Sequence, residues 1–386
     1  MQIFKKPNFS FMRYKLVAFG LSGIFILVGL LNMTVGKKIT PGIDFAGGAL
    51  VQIRFIAPIS ISNLRQTLNI PELESIKIQE VENEQREYII RAMVPQETSE
   101  QALESHEVMA GRIVELLKSD TDRQSEASGL QDLNTIDISE IIRLIEPSLP
   151  DNAINIANFI FDTKENETQK GIIESFDQLP VEDIGPEAIE LLKEKTFLGS
   201  LSVKRRETVG PQVGSDLRRR ATQATVWALI GMLIYIGIRF KFAFGVAAIF
   251  TLAHDVIITL GIFSFTNREI NLPVIAAILT IVGYSLNDTI VIFDRVRDNI
   301  KLLRKNNLDQ ILDTSINQTL SRTIITSGTT FVTVVALFIF GGPVINDFAF
   351  TMMIGVVIGT YSSIYQSCSL LYFWNKFFKP QKGLGK

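Results

Sequence analysis

Asp288 stands where a carboxylate is costly. It lies in VGYSLNDTIVIFDRVRDN (282–299), towards the end of an apolar run that starts near Leu272 and is long enough to cross a bilayer. A carboxylate at a membrane-helix centre costs roughly 2.5–3.5 kcal/mol on insertion scales. A residue retained against that cost faces the bundle interior, where it either titrates or sits in a fixed ion pair. Asn287 is its neighbour, and Tyr284 and Ser285, four and three residues earlier, share its side of the helix. On the next apolar segment Arg322, Thr326, Thr329 and Thr333 recur at spacings of 4, 3 and 4, one polar stripe with Arg322 at its end. At ~1.5 Å per residue, Asp288 is about 8 Å from the middle of its helix and Arg322 about 15 Å from the middle of its own. Both are on the same side of the membrane, so a contact is open to the long arginine side chain. The alternative for Arg322 is a residue that snorkels to the surface, and for Asp288 a permanent structural pair.

A third segment carries Thr251, His254 and Asp255. Adjacent helical positions point about 100° apart, so His254 and Asp255 are not expected to share one partner; a polar helix contact is favoured over a proton relay. Gly355 and Gly359 form a GxxxG pattern, continued by Ser362, Ser363 and Gln366, which reads as a close-packing face. Two turn motifs contain glycine: Gly42, Asp44, Gly47 and Gly48 in GIDFAGG (42–48), and Gly210, Pro211 and Gly214 in VGPQVG (209–214).

The elements that must position these residues follow from where the apolar residues fall. The chain has 386 residues, of which 47% are hydrophobic, and its mean hydropathy is +0.25, too apolar for an ordinary soluble protein of that length. Apolar runs at 16–35, 221–238, 243–265, 272–293, 323–341 and 348–374 each reach the ~20 residues of a spanning helix. The first lacks an A-x-A cleavage pattern and is longer than a signal-peptide core, so a retained anchor is expected. Lys5, Lys6, Arg13 and Lys15 precede it; Arg239 and Lys241 fall in one short link; Arg295, Arg297, Lys301, Arg304 and Lys305 crowd another; Lys376, Lys379, Lys382 and Lys386 end the chain. The opposite links at 266–271 and 341–347 carry Arg268 as their one base. The positive-inside rule then places both termini in the cytoplasm, with 1–15 as the cytoplasmic N-terminus and 376–386 as the tail.

Residues 36–220 form the one large loop outside. Strand patterns at 49–55, 75–81, 87–94 and 197–203, with helix patterns at 60–68 and 100–118 and a polar turn at Glu82-Asn83-Glu84, give β-α-β-β-α-β, the order of a ferredoxin-like α+β domain. The stretch 119–196 is surplus to that order and reads as an acidic, partly helical insertion, polar over 119–135, with helical patterns near 138–146 and 186–195 and a phenylalanine-bearing run at 154–162. The expected fold class is therefore an α-helical polytopic membrane protein of six helices, five of them in 221–375, with an α+β extracytoplasmic domain.

The net charge of -2 argues against a nucleic-acid partner, one cysteine excludes an internal disulfide, and two histidines leave little for a metal site. Neither a phosphate-binding loop nor a dinucleotide fingerprint nor a nucleophile motif occurs, so no cofactor and no covalent catalysis are expected.

Five ordered motifs carry a family resemblance: GIDFAGG, VGPQVG, VGYSLNDTIVIFDRVRDN, SINQTLSRTIITSGTT (315–330) and the glycine-rich last helix. Over 11–95 and 197–375 the chain resembles the SecF family of bacterial protein export. The resemblance implies one half of an RND-type twelve-helix unit, with SecD supplying the other half, and work alongside the SecYEG channel and the SecA ATPase on preproteins crossing the lipid of the inner membrane. It implies use of the proton-motive force, with the carboxylate and arginine of the family's proton path at Asp288 and Arg322. The insertion at 119–196 is a departure from the compact outside domain of that family. Two other functions compete: a small-molecule exporter of the RND type, which would carry two large outside loops on twelve helices, and a scaffold in which Asp288 and Arg322 form a fixed pair.

The charge bias generates a topology test. Reporter fusions near Glu126 are expected to be active only outside the cytoplasm, and fusions near Lys305 or after Lys379 only inside. An outside signal at Lys305 would overturn the six-helix arrangement.

Overall fold

The computed structural model describes residues 7–36, 40–70, 73, 76–81, 86–92, 101–166, 171–266 and 268–378. Lys5, Lys6, the turn at Glu82-Asn83-Glu84 and the closing lysines Lys379, Lys382 and Lys386 lie outside those residues. The chain divides into two compact units, 1–42 with 218–386, and 43–217. The first unit opens with a 3-10 turn, Phe11–Tyr14, then α1 (Lys15–Thr34) and the two-residue β1 (Thr40–Pro41). The second unit contains α2 (Ile43–Ala46), β2 (Gly48–Phe55), α3 (Ile61–Thr67), β3 (Ile76–Glu80), β4 (Glu87–Ala92), α4 (Gln101–Leu117), α5 (Asp120–Ala127), β5 (Gln131–Asp132), α6 (Ile138–Ile145), α7 (Ala153–Glu165), α8 (Val181–Ile184), α9 (Pro186–Lys195), β6 (Thr196–Phe197) and β7 (Leu201–Val209). The chain then returns to the first unit through α10 (Pro211–Arg239), α11 (Phe242–Phe265), β8 (Glu269–Ile270), α12 (Leu272–Leu302), α13 (Leu308–Phe340) and α14 (Gly342–Phe378).

Among the described residues six helices, α1 and α10 to α14, are long and apolar enough to cross a membrane. Several run past the apolar windows that announce them. α13 starts at Leu308 rather than near 323, because LDQILDTSINQTLSR places Ile311, Leu312, Ser315, Ile316 and Thr319 on one buried face. That face also receives the N-terminal segment. Asn317 accepts from the Phe9 backbone N–H at 2.9 Å and donates to the Phe9 carbonyl at 2.8 Å, Asp313 accepts from the Met12 N–H at 2.8 Å, and Lys15 pairs with Asp309 at 2.9 Å.

Close approach within this unit is set by glycine. The Cβ that Gly29 lacks would meet the Gly261 Cα at 2.9 Å, so α1 and α11 cross backbone to backbone. Gly355 lies against the Ile281 side chain, and a Cβ at Gly359 would lie 3.2 Å from that of Ser285, so α14 seats on α12 through the face its GxxxG spacing marks. Phe293 packs edge-on against Phe240 and Phe244, with ring centroids 6.0 and 5.3 Å apart.

In the second unit β3, β4, β2 and β7 pair in that order, all antiparallel. Val51, Ile53 and Phe55 alternate on the face that packs with Leu64, Ala110 and Ile113 from α3 and α4. The opposite face of β2 is covered too. Gln52 donates to a buried Glu87, which Arg54 and Lys204 also approach, at 3.3 and 3.5 Å. The last strand of the sheet is Leu201–Val209, whereas the alternation suggests 197–203. Thr196–Phe197 pairs instead, in parallel, with Gln131–Asp132.

The surplus stretch folds around its own apolar core, built from Leu133, Ile141, Ile145, Ile156, Ile160, Ile189 and Leu192. Its polar opening, 119–135, holds α5 and β5. Ser119 and Asp122 close a reciprocal capping box at the start of α5, and Asp137 and Glu140 do the same for α6. Buried polar groups tie the stretch to the strand that follows it. Asn134 donates to the carbonyls of Ile173 and Gly199, Asp122 accepts from the Ser200 N–H, and Asp132 accepts from the N–H groups of Asn134 and Gly199 at 2.9 and 2.8 Å.

Burial pushes the Asp132 carboxyl up to about 6, against the backbone donors that pull it down. The folded state therefore holds the proton more tightly than the unfolded chain, and Asp132 contributes stability that grows as the pH falls from 7 through 6 towards 4. From pH 7 to pH 5 the Asn134 and Gly199 amides should become better protected from hydrogen exchange, after correction for intrinsic rates, by an amount on the order of 1 kcal/mol. Asp132→Asn keeps the acceptor oxygen without the charge and should flatten that response. An unchanged pH response in the Asn variant would assign it to another group.

Candidate functional site

Asp288 is held on α12, which Asn271 caps by accepting from the Val274 N–H at 3.1 Å. The Asp288 side chain is 3% exposed, and the Ser327 hydroxyl of α13 lies 3.2 Å from its Oδ2. No ion pair joins Asp288 to Arg322 or to any other base among the described residues. Tyr284, four residues before Asp288, Thr289, the residue after it, and Thr323, four before Ser327, have hydroxyls that are buried without a hydrogen-bond partner among the described residues. A hydroxyl can donate to a carboxylate or accept from a carboxylic acid, so Asp288 keeps its bond to Ser327 in both protonation states.

The polar stripe of α13 is rotated from the face that meets Asp288. Arg322, Thr329 and Thr333 are exposed and Thr326 half-buried, and the three threonine hydroxyls bond back to their own helix, to the carbonyls of Arg322, Ile325 and Thr329. The inward face is the neighbouring one, with Thr323, Ser327 and Val334 buried. Spacing alone does not single out Ser327, because hydroxyl residues fill both faces of ITSGTT (325–330). Thr323 and Ser327, four apart, were the available signal. Asn287 is exposed, next to Asp288 but about 100° round the helix.

His254 and Asp255 bond to different helices, as adjacent helical positions suggest, and also to each other. His254 Nδ1 lies 2.8 Å from Asp255 Oδ1. α11 has protein on most of its circumference, so both positions turn inward, and the imidazole is long enough to fold back onto its neighbour. Asp255 is fully buried; Ser285 of α12 and Ser362 of α14 both donate to its Oδ2, the latter at 2.8 Å. The other imidazole nitrogen, Nε2, lies 2.9 Å from the Ser22 hydroxyl of α1.

The glycine motifs meet across the second unit. Gly47 and Gly48 have φ of +75° and +133°, a backbone that favours glycine, and Asp44 lies in the first turn of α2. A Cβ on Gly214 would stand 3.1 Å from the Gly47 nitrogen, so the first turn of α10, opened by Pro211 after the buried Gly210, rests on this bend. In the first unit Gly42 donates to the Ile270 carbonyl at 2.7 Å, extending the β1–β8 pair. No group of three or more histidine, cysteine or acidic side chains arranged to hold a metal ion occurs among the described residues.

Two family models match. Residues 189–377 fit the C-terminal region of the protein export membrane protein SecD/SecF, and residues 34–55 fit the SecD/SecF GG motif. A protein translocase subunit SecF from Koribacter versatilis is 38% identical over 96% of this chain and 93% of its own length. Its counterpart in Escherichia coli O157:H7 is 31% identical over 94% and 86%. Among solved structures, the translocon-associated membrane protein SecDF of Thermus thermophilus aligns with 96% of this chain at a TM-score of 0.63 and 30% identity, and SecDF in a super-membrane-facing form with 99% at 0.53 and 29%. The chain spans 39% and 40% of those two solved chains. With near-full-length identity to such relatives and both signature regions in place, the chain belongs to the protein translocase subunit SecF family.

Proposed function

We propose that this subunit couples proton movement across the inner membrane to preprotein export, with Asp288 as the group that takes up and releases the proton. The observation that carries the reading is a carboxyl buried in a membrane helix with a hydroxyl for a partner and no ion pair among the described residues. A fixed ion pair would argue for a scaffold; Arg322 is exposed, and no ion pair joins it to Asp288 among the described residues. The buried hydroxyls of Tyr284 and Thr289 on the helix of Asp288, and of Thr323 on the helix of Ser327, are further donors and acceptors on the same two helices.

The partner is a SecD-type second half. The solved SecDF chains are more than twice as long as the part this chain matches. α12 and α13 also expose Asn287, Arg322, Thr329 and Thr333 where a lone bundle would face lipid, and Gly283 and Gly328 leave open space beside them. Polar and small residues on a membrane face are the composition of a helix–helix interface. Arg322 then meets the partner half, within reach of the same proton path. SecYEG, SecA and the preprotein act with the pair, both termini are cytoplasmic, and 43–217 is the extracytoplasmic part.

In vesicles carrying the export machinery and a proton gradient, Asp288→Asn should assemble with SecD yet reduce gradient-dependent completion of export to the level without a gradient. Asn keeps the size and the hydrogen bond to Ser327 but cannot titrate. Asp288→Glu should retain part of the stimulation, and Arg322→Lys should lose most of it, since lysine keeps the charge without the planar fork. Full stimulation by the Asn variant would move the proton path away from Asp288.

A further inference from the structure

A second titratable pair sits in the same helical unit, off the path just described. His254 and Asp255 of α11 lie where α1, α12 and α14 meet, and the hydrogens around them can be accounted for one by one. Asp255 accepts at Oδ2 from Ser285 and Ser362 and faces His254 Nδ1 through Oδ1. A carboxylate there fixes a hydrogen on Nδ1. The open question is Nε2, whose neighbour is the Ser22 hydroxyl. Gln366 spends its two N–H groups on Ser22 Oγ, at 2.5 Å, and on the Ala18 carbonyl, at 3.1 Å. The Tyr361 hydroxyl donates to the same carbonyl at 2.9 Å, which leaves its oxygen, 3.3 Å from Ser22 Oγ, free to accept.

The Ser22 hydrogen therefore has two destinations. Turned towards His254, it donates to a bare Nε2, and the imidazole is neutral beside a charged Asp255. Turned towards Tyr361, it leaves Ser22 Oγ as an acceptor for an Nε2–H, and the imidazole is an imidazolium paired with the carboxylate. Both arrangements satisfy every one of these groups, and they differ by one proton and one hydroxyl rotation. The geometry points to the His254–Asp255 pair as a second proton-binding site of this subunit, with Ser22 and Tyr361 as the switch that accommodates the proton. In apolar surroundings the protonated pair is net neutral and the deprotonated pair carries an unbalanced charge, so uptake does not add a charge to the membrane interior.

The groups that face the pair leave this equilibrium to those two residues. From α1 comes Ser22; the basic residue of that helix, Lys15, is at its far end and bonded to Asp309. From α12 come Ser285, its preceding neighbour Tyr284 and, one turn on, Asp288, which is bonded to Ser327. From α14 come Ser362, Gln366, Tyr361, whose ring stacks 6.3 Å from the imidazole, and beyond it Tyr365 and Cys368. Ser285 precedes Asp288 by three residues, so the charge on Asp255 is felt on the helix that carries the other carboxyl.

The chain contains two histidines, so His106→Gln leaves His254 as the one imidazole. In the full-length His106→Gln chain, labelled with nitrogen-15 histidine in lipid nanodiscs, both ring-nitrogen signals should convert from the neutral form protonated at Nδ1 to the imidazolium between pH 9 and pH 5. Adding Tyr361→Phe removes the acceptor of the rotated Ser22 hydroxyl, and at a fixed pH the ratio of imidazolium to neutral imidazole should fall by up to about tenfold. Asp288→Asn should leave His254 titrating. A single protonation form throughout that range would overturn the site, and a titration untouched by Tyr361→Phe would overturn the hydroxyl switch. Transport is not measured, so failure here is distinct from failure of Asp288 as the export-coupled group.

Discussion

A carboxyl group in the interior of a membrane protein has to be given its hydrogen-bond donors by other helices, because the hydrocarbon offers none. That requirement governs the membrane-spanning unit. Serine and threonine hydroxyls reach only a short way, so Asp288 can have Ser327 and Asp255 can have Ser285 and Ser362 only if α11, α12, α13 and α14 come close together. The closeness is made by residues with little or no side chain. Gly355 and Gly359 let α14 seat on Ile281 and Ser285 of α12, and Gly29 and Gly261 let α1 reach α11 near enough for Ser22 to meet His254. Packing and polar chemistry are thus one constraint seen twice.

The two acidic groups are served differently. Asp255 is bonded by three groups, His254, Ser285 and Ser362, and His254 in turn meets Ser22, an arrangement in which each hydrogen has a place. Among the described residues Asp288 has one hydroxyl partner, Ser327, which leaves its hydrogen-bonding capacity unfilled, and Tyr284 and Thr289 on its helix and Thr323 on that of Ser327 have buried hydroxyls without a partner. A filled network fixes its helices in register and can change protonation only by turning a hydroxyl already in it, as at Ser22, whereas an under-filled site leaves capacity for new partners. On α12 the two kinds stand one turn apart, at Ser285 and Asp288, so the register fixed by one is imposed on the other.

The second unit applies the same accounting to an antiparallel sheet and its helices. The surplus stretch adds its own apolar core, and the polar groups at its junction, Asp122, Asp132 and Asn134, bond to backbone of Ile173, Gly199 and Ser200. Gly199 is required there by space. Any Cβ at that position would overlap the Asp132 carboxylate, so the glycine and the buried acid are a matched pair.

Six membrane helices were legible in the sequence because hydrocarbon demands about twenty apolar residues per crossing, a demand that local composition meets or fails by itself. The presence of Asp288, the GxxxG seat of α14 and the turn glycines at 47 and 48 were legible for the same reason: each is a departure from what its own segment would otherwise contain. Which face of α13 turns inward was not legible. Its hydroxyl residues occupy adjacent faces, and a rotation of one residue, about 100°, exchanges Thr326 and Thr329 for Thr323 and Ser327. The union of His254 with Asp255, and with serines 232 and 107 residues distant in the chain, likewise has no local signature. The sequence by itself determined how many helices cross and which of them carry charge. Only tertiary packing, by setting which helix faces close on one another, decided the partners those charges have.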